Sequence, residues 1–343
     1  MLDTHPSPAL HRLLDQSLHF PPEYADNLSS HLPMALAALQ GLGADEARLK
    51  DFFAVYAQRF TTRAPRLAAD PVPDWPVLRG RFEAFEPLRS TFAAALQRDG
   101  QDAVLRQVLP LLITGVGAAA FHGAIRVAHA VESGHPGELA AALAYWGARW
   151  MPLPPPVSVE PDLDDVTAWL DALDSRLLQD DAGWHSPAPL ILQRMQDVTY
   201  TAAYRTEAGR LRTAGRSSGL LLAELSRAGA ARYAATRNFT VLHIATGARA
   251  AQVLAPSLPQ DPGALAPLWH AVAAASLASG TASAPRRKRP AGAALDWPQV
   301  RALALASDDD HVIKLVHAMA VQHAIAPEPA WLRAAAVAVS GST

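Results

Sequence analysis

The sequence predicts an all-α protein, a large multi-helix, bundle-like globular fold with no substantial sheet. Three observations lead there. Half of the 343 residues are hydrophobic, only 7% are aromatic, and alanine is abundant while β-branched runs are few. Only 18% of residues are charged, below the roughly 25% of an average soluble protein, so a sizeable core can form and global disorder is excluded.

The elements follow in order. Residues 27–33 (NLSSHLP) read as a helix start, in which the serines can cap free amides and Pro33 fits a first turn. Gly41-Leu42-Gly43 ends that helix. The next begins near Asp45, with Leu49, Phe52, Phe53, Tyr56 and Phe60 on one apolar face. Residues 61–76 form a Pro-rich loop. Helices are expected over 78–97, 103–132 and 138–150. The run Met151-Pro152-Leu153-Pro154-Pro155-Pro156 cannot be helical. It places a hinge at 151–162 between an N-terminal helical half (1–150) and a C-terminal one (163–343), expected to pack as one globular unit. Further helices are expected near 163–179, 189–207, 220–254, 263–278, 297–306, 308–324 and 328–339. The basic segment 281–292, with Arg286-Arg287-Lys288-Arg289, reads as a mobile, solvated loop. No fixed-period repeat announces a solenoid.

Composition excludes several function classes. A net charge of -2 gives no positive field to collect nucleic acid or acidic membrane. The absence of cysteine excludes disulfides, iron–sulfur clusters and thiolate catalysis. The start lacks a basic region followed by an apolar one, so no secretory signal is expected and the protein is expected to be cytoplasmic. The longest apolar stretch, 104–131, is interrupted by Arg106, Pro110, His122, Arg126 and His129 and reads as a buried helix rather than a membrane span.

Gly115-Val116-Gly117-Ala118-Ala119-Ala120 fits the dinucleotide pattern G-x-G-x-x-A, which needs a strand before it, a helix after it, and a second strand ending in an acid. Residues 138–150, where that second strand belongs, have a helical composition. Close approach of two buried helices is the alternative use of these glycines.

The thirteen histidines carry the chemical signal. His122, Arg126 and His129 stand at i, i+4 and i+7, one polar stripe on an apolar helix. His243 has apolar residues on both sides, and His31 stands at a helix entrance. His311, Lys314 and His317 repeat every three positions behind Asp308-Asp309-Asp310. A buried histidine must be satisfied. One alone is a hydrogen-bonded core residue as readily as a ligand, but several on different helices can converge on one interior point. Imidazole suits iron, zinc, copper and nickel alike. H-E-x-x-H does not occur, which excludes the usual zinc-protease motif. Lys314 either reaches solvent or pairs with Asp310, or is a neutral buried amine able to add carbon dioxide as a carbamate.

At these residues the sequence resembles the questin oxidase-like family. The matching pieces are YADNLSSHLPMALAAL (24–39), GVGAAAFHGAIRVAHA (115–130), ELAAALAYW (138–146), FTVLHIATGARA (239–250) and DHVIKL (310–315). The resemblance implies a helical fold and oxygen-dependent oxidation or cleavage of rings in anthraquinone-like, polyketide-type aromatics. It also implies a mononuclear non-haem iron held by four histidines and a carboxylated lysine. Carried over by motif, the ligands are His31, His122, His243, His311 and Lys314, with Arg126, His129 and His317 facing the substrate or supporting the ligands. Ser30 departs from the asparagine that often precedes the first histidine, which bears on the substrate. The expected partners are a small aromatic molecule and dioxygen, with no nucleic acid and no membrane. Two alternatives stay open: an NADPH-dependent Baeyer–Villiger-type monooxygenase without metal, and a non-catalytic helical binding protein.

Overall fold

The computed structural model describes residues 6–60, 69–157, 159–283 and 295–341. Among them the fold is all-α, sixteen α-helices with one two-stranded ribbon. Ser7 accepts from the amide of Leu10 and Pro8 occupies the first turn, so α1 runs Pro8–Ser17, a helix that the sequence reading passes over. Glu23–Tyr24 (β1) and Leu28–Ser29 (β2) pair antiparallel around a turn in which Ala25 and Asn27 take positive φ. Ser29 therefore does not cap the following helix, and its hydroxyl meets that of Tyr145 at 2.6 Å. Helix α2 (Leu32–Leu42) starts at His31 without a side-chain cap and ends at Gly43, whose φ of 98° favours glycine. Asp45 caps α3 (Glu46–Ala57), which buries Leu49, Phe52 and Tyr56. Of the expected loop at 61–76, residues 61–68 lie outside the described residues. Helix α4 is Phe85–Asp99.

The single helix expected over 103–132 is two. Helix α5 (Gln101–Leu112) contains Pro110, which has no amide to give to the preceding turn. A 3-10 turn, Ile113–Gly115, follows. Ala119, Ala120 and Phe121 then take φ of 47°, 55° and 68°, a left-handed conformation costing an L-residue ~1–2 kcal/mol each. Helix α6 (His122–Ser133) begins only after them, so His122 is its first residue rather than mid-helix. Helix α7 is Pro136–Ala148.

After the non-helical proline stretch come α8 (Val166–Asp180), α9 (Ile191–Val198), α10 (Ala202–Glu207), α11 (Ser218–Thr236), α12 (Phe239–Leu254), α13 (Ala266–Ala278), α14 (Trp297–Ala306), α15 (Asp310–Ile325) and α16 (Pro329–Val339). Two expected helices divide here as well. Thr201 caps α10, and Asn238 caps α12 after Arg237 closes α11 at φ 52°. The basic run 286–289 lies outside the described residues.

The chain forms two compact units interleaved in sequence, one of Met1–Leu105, His122–Arg149 and Gly292–Thr343, the other of Arg106–Phe121 and Trp150–Ala291. In the first, α2 is surrounded by α1, α3, α6 and α15, and ten of its 11 residues are buried. In the second, α12 packs on α11 and α13, and α13 on α8 and α9. There the glycine motif begins at the last residue of a 3-10 turn that follows a helix, so the strand that a dinucleotide fingerprint requires is not in place. A Cβ on Gly115 would sit 2.4 Å from Trp150, and one on Gly117 3.3 Å from Met195, which explains both glycines by close packing. No described helix is long and apolar enough to cross a membrane.

Close packing also fixes α6 against α7 in the first unit. A Cβ on Gly123 would lie 2.7 Å from Cγ of the fully buried Trp146. Gly123→Ala is expected to destabilise the protein by ~2 kcal/mol through overpacking, whereas Gly219→Ala, where the added methyl meets nothing, should be neutral or slightly stabilising. Urea denaturation of the two variants checks this.

Candidate metal centre

Three helices of the first unit begin at the same place. His31 is the N-cap of α2, His122 the first residue of α6 and His311 the second residue of α15. Each offers a ring nitrogen, and the three nitrogens lie within 4.8 Å of one another. The His31 and His122 rings stack at 4.5 Å between centroids, and His311 meets His31 edge-on at 4.6 Å. His31 and His122 are buried, and His311 keeps 20% of its side chain exposed.

The side chain that joins them is Asp310. At the start of α15, Asp309 accepts from the amides of His311 and Val312 and acts as the cap. Asp310, one residue on, is thereby turned inward and is 2% exposed. Its Oδ1 accepts from His31 Nδ1 at 2.5 Å and lies 3.0 Å from His311 Nδ1. Its Oδ2 accepts from Arg59 at 3.0 Å. Arg59 in turn lies over the Tyr56 ring, and the Tyr56 hydroxyl accepts the backbone N–H of His31 at 2.8 Å.

Electrostatics favour neutral imidazole beside an ionised carboxylate. Burial opposes the ionisation of Asp310, but His31 and His311 hold it well below the usual carboxylate range. Burial, followed by the nearby Lys314 ammonium, lowers His31 to about 3 against the pull of Asp310. An ionised carboxylate can only accept, so the Nδ1 that bonds it carries the proton and Nε2 keeps its lone pair. A second-sphere carboxylate on the far nitrogen is the usual support of a metal-binding histidine.

Lys314, one turn after Asp310 on α15, does not reach solvent. It is 2% exposed, with Nζ 3.8 Å from Asp310 Oδ1, the i−4 pairing weighed from the sequence. Burial lowers it to about 8, with Asp310 and Asp309 opposing.

The remaining candidates lie elsewhere. His129 and His317 sit further along α6 and α15 with ring centroids 5.7 Å apart. His317 fits because position 41 is glycine: a Cβ there would come within 2.4 Å of its Nε2. Arg126 makes a buried two-point pair with Glu138, at 2.6 and 2.9 Å, and its Nη1 has no hydrogen-bond partner among the described residues. His243 belongs to the second unit, on α12, buried, with Nδ1 held by the Phe239 carbonyl at 2.8 Å, so Nε2 is the atom it can offer. Tyr145 and Trp146, weighed as pocket lining, are buried; the Tyr145 hydroxyl also donates to Glu23 at 3.0 Å.

Sequence reading missed Asp310, Arg59 and Tyr56. The acidic run before His311 was a usable signal, because a helix needs one cap and three acids stand there. Nothing local marks Arg59, whose bond to Asp310 spans 251 positions.

A family model described as questin oxidase-like matches residues 28–319, most of the chain and every candidate above. No curated protein matches the chain.

The Lys314 environment has a pH consequence. Between about 8 and its ordinary 10.5, the unfolded chain holds a proton on Lys314 that the folded chain lacks. Stability of the metal-free protein should therefore rise as pH climbs through that window. Lys314→Met is expected to stabilise it by ~2 kcal/mol at pH 7 and to flatten the rise. Chemical denaturation from pH 7 to 10 measures both; an unchanged slope would mean that the ammonium is solvated.

Proposed function

The chain belongs to the questin oxidase-like family, which implies an oxidoreductase, and on that premise we propose a non-haem iron oxygenase acting on a polycyclic, polyketide-type aromatic. The observation that carries this reading is the convergence of three imidazole nitrogens from three helix starts within 4.8 Å. The donor set fits a metal: neutral nitrogen ligands, a buried carboxylate behind two of them, and a largely dry surrounding. Bound iron would supply Lewis-acid and one-electron chemistry toward dioxygen and a substrate oxygen.

The residues of the chain do the rest. His31, His122 and His311 would hold the ion. Lys314, buried and with a lowered affinity for its proton, is suited to add carbon dioxide at Nζ, losing a proton and becoming a carbamate oxygen donor. A carbamate beside Asp310 brings two anions together, so we expect the modification only in the metal-loaded protein. Arg126 would meet substrate: Glu138 occupies two edges of its guanidinium, and Nη1, buried and unbonded among the described residues, would be satisfied by a carbonyl or phenolate oxygen. His129 and His317, in the same unit, would line that approach.

Anaerobic reconstitution is expected to give about one iron per chain and dioxygen uptake with anthraquinone-type substrates. His122→Ala and His311→Ala should stay helical by circular dichroism and lose both metal and uptake. Full iron occupancy in both variants would remove this ligand set. Oxidation supported by NADPH in folded, metal-stripped protein would favour the metal-free monooxygenase instead.

A further inference from the structure

We propose that Asp310 is the positioning residue of this centre, one carboxylate that sets the tautomer and orientation of two ligands together; this rests on the metal-binding reading above. Four groups from three segments converge on it. His31 Nδ1 lies at 2.5 Å and His311 Nδ1 at 3.0 Å from the same oxygen, Oδ1. Lys314 Nζ is 3.8 Å from that oxygen, and Arg59 bonds the other at 3.0 Å. A shared acceptor couples the two rings. Each must present Nδ1–H to it and is left with Nε2 as its only lone pair, so neither ring can turn or change tautomer without leaving a buried N–H unbonded.

Arg59 is the second part of the device. It clamps Oδ2 and covers Tyr56, whose hydroxyl fixes the backbone N–H of the same His31. Ring and backbone of His31 are thus held from one patch, by groups that touch no metal.

Asparagine separates the possibilities. Its carbonyl oxygen accepts as Oδ1 does, but its amino group repels an N–H, carries no charge for Arg59, and cannot anchor two donors as a carboxylate can. The first measurement needs no metal. Two-bond nitrogen–proton spectra of nitrogen-15 histidine-labelled protein should show His31 and His311 as Nδ1–H tautomers, and Asp310→Asn should change the tautomer of at least one. The second uses cobalt(II) as probe. Asp310→Asn is expected to weaken cobalt binding ~10–100-fold and to alter the intensity of its visible bands. Arg59→Gln, at a partly exposed side chain, should shift both in the same direction by a smaller factor, and it serves as the test if Asp310→Asn does not fold. Wild-type rings in the Nε2–H form overturn the proposal, as do variants with unchanged tautomers, affinity and spectrum. Failure of the wild type to bind any metal while its rings show Nδ1–H would instead count against the metal reading.

Discussion

A buried carboxylate must be surrounded by donors, and the geometry of the first unit follows from how Asp310 meets that demand. Desolvating an anion costs several kcal/mol unless hydrogen bonds and opposite charge replace water. Here the replacements are two imidazole N–H groups and a guanidinium. Each donor comes from a different place, α2, α15 and the segment after α3. Satisfying one side chain therefore ties three parts of the chain to a common point, and brings the rings of His31 and His311 together there.

The helix starts reinforce this arrangement. The free amides at the first turns of α2, α6 and α15 place partial positive charge at the same end of the unit. Such ends disfavour imidazolium, in the same direction as burial, and favour the carboxylates of Asp309 and Asp310. Close approach is secured by small residues: Gly41 leaves room for His317, and Gly123 lets α6 lie against Trp146. The left-handed turn at 119–121 stores energy immediately before His122. Strain of this kind persists only where the surrounding packing over-determines the chain, and here it delivers a ligand-type residue to a helix start.

Much of the secondary structure was legible because its causes are local. Asp45, the αL glycine at 43 and the Asp296 cap with Pro298 behind it mark helix ends within a few residues, and α14 falls on its expected bounds. The helices read as too long share one cause. Residues 103–132, 189–207 and 220–254 each carry continuous helical composition, and each is broken by a turn that composition does not record. Ala119, Ala120, Phe121 and Arg237 adopt positive φ without a glycine to announce it. The two-residue ribbon strands are too short to show alternation.

Sequence alone determined that the chain is helical, that His31 and His311 stand near helix starts, and that His311 and Lys314 share a helix with Asp310. These are consequences of neighbours a few positions apart. Tertiary structure decided which helix starts share a point, that Lys314 is buried rather than solvated, and that Asp310 rather than its acidic neighbours faces inward. His31 and Asp310 are 279 positions apart, and no periodicity reaches across that distance. Only the packing of α2 against α6 and α15 brings them to hydrogen-bond range, because burying those apolar helices together leaves their polar ends nowhere else to find partners.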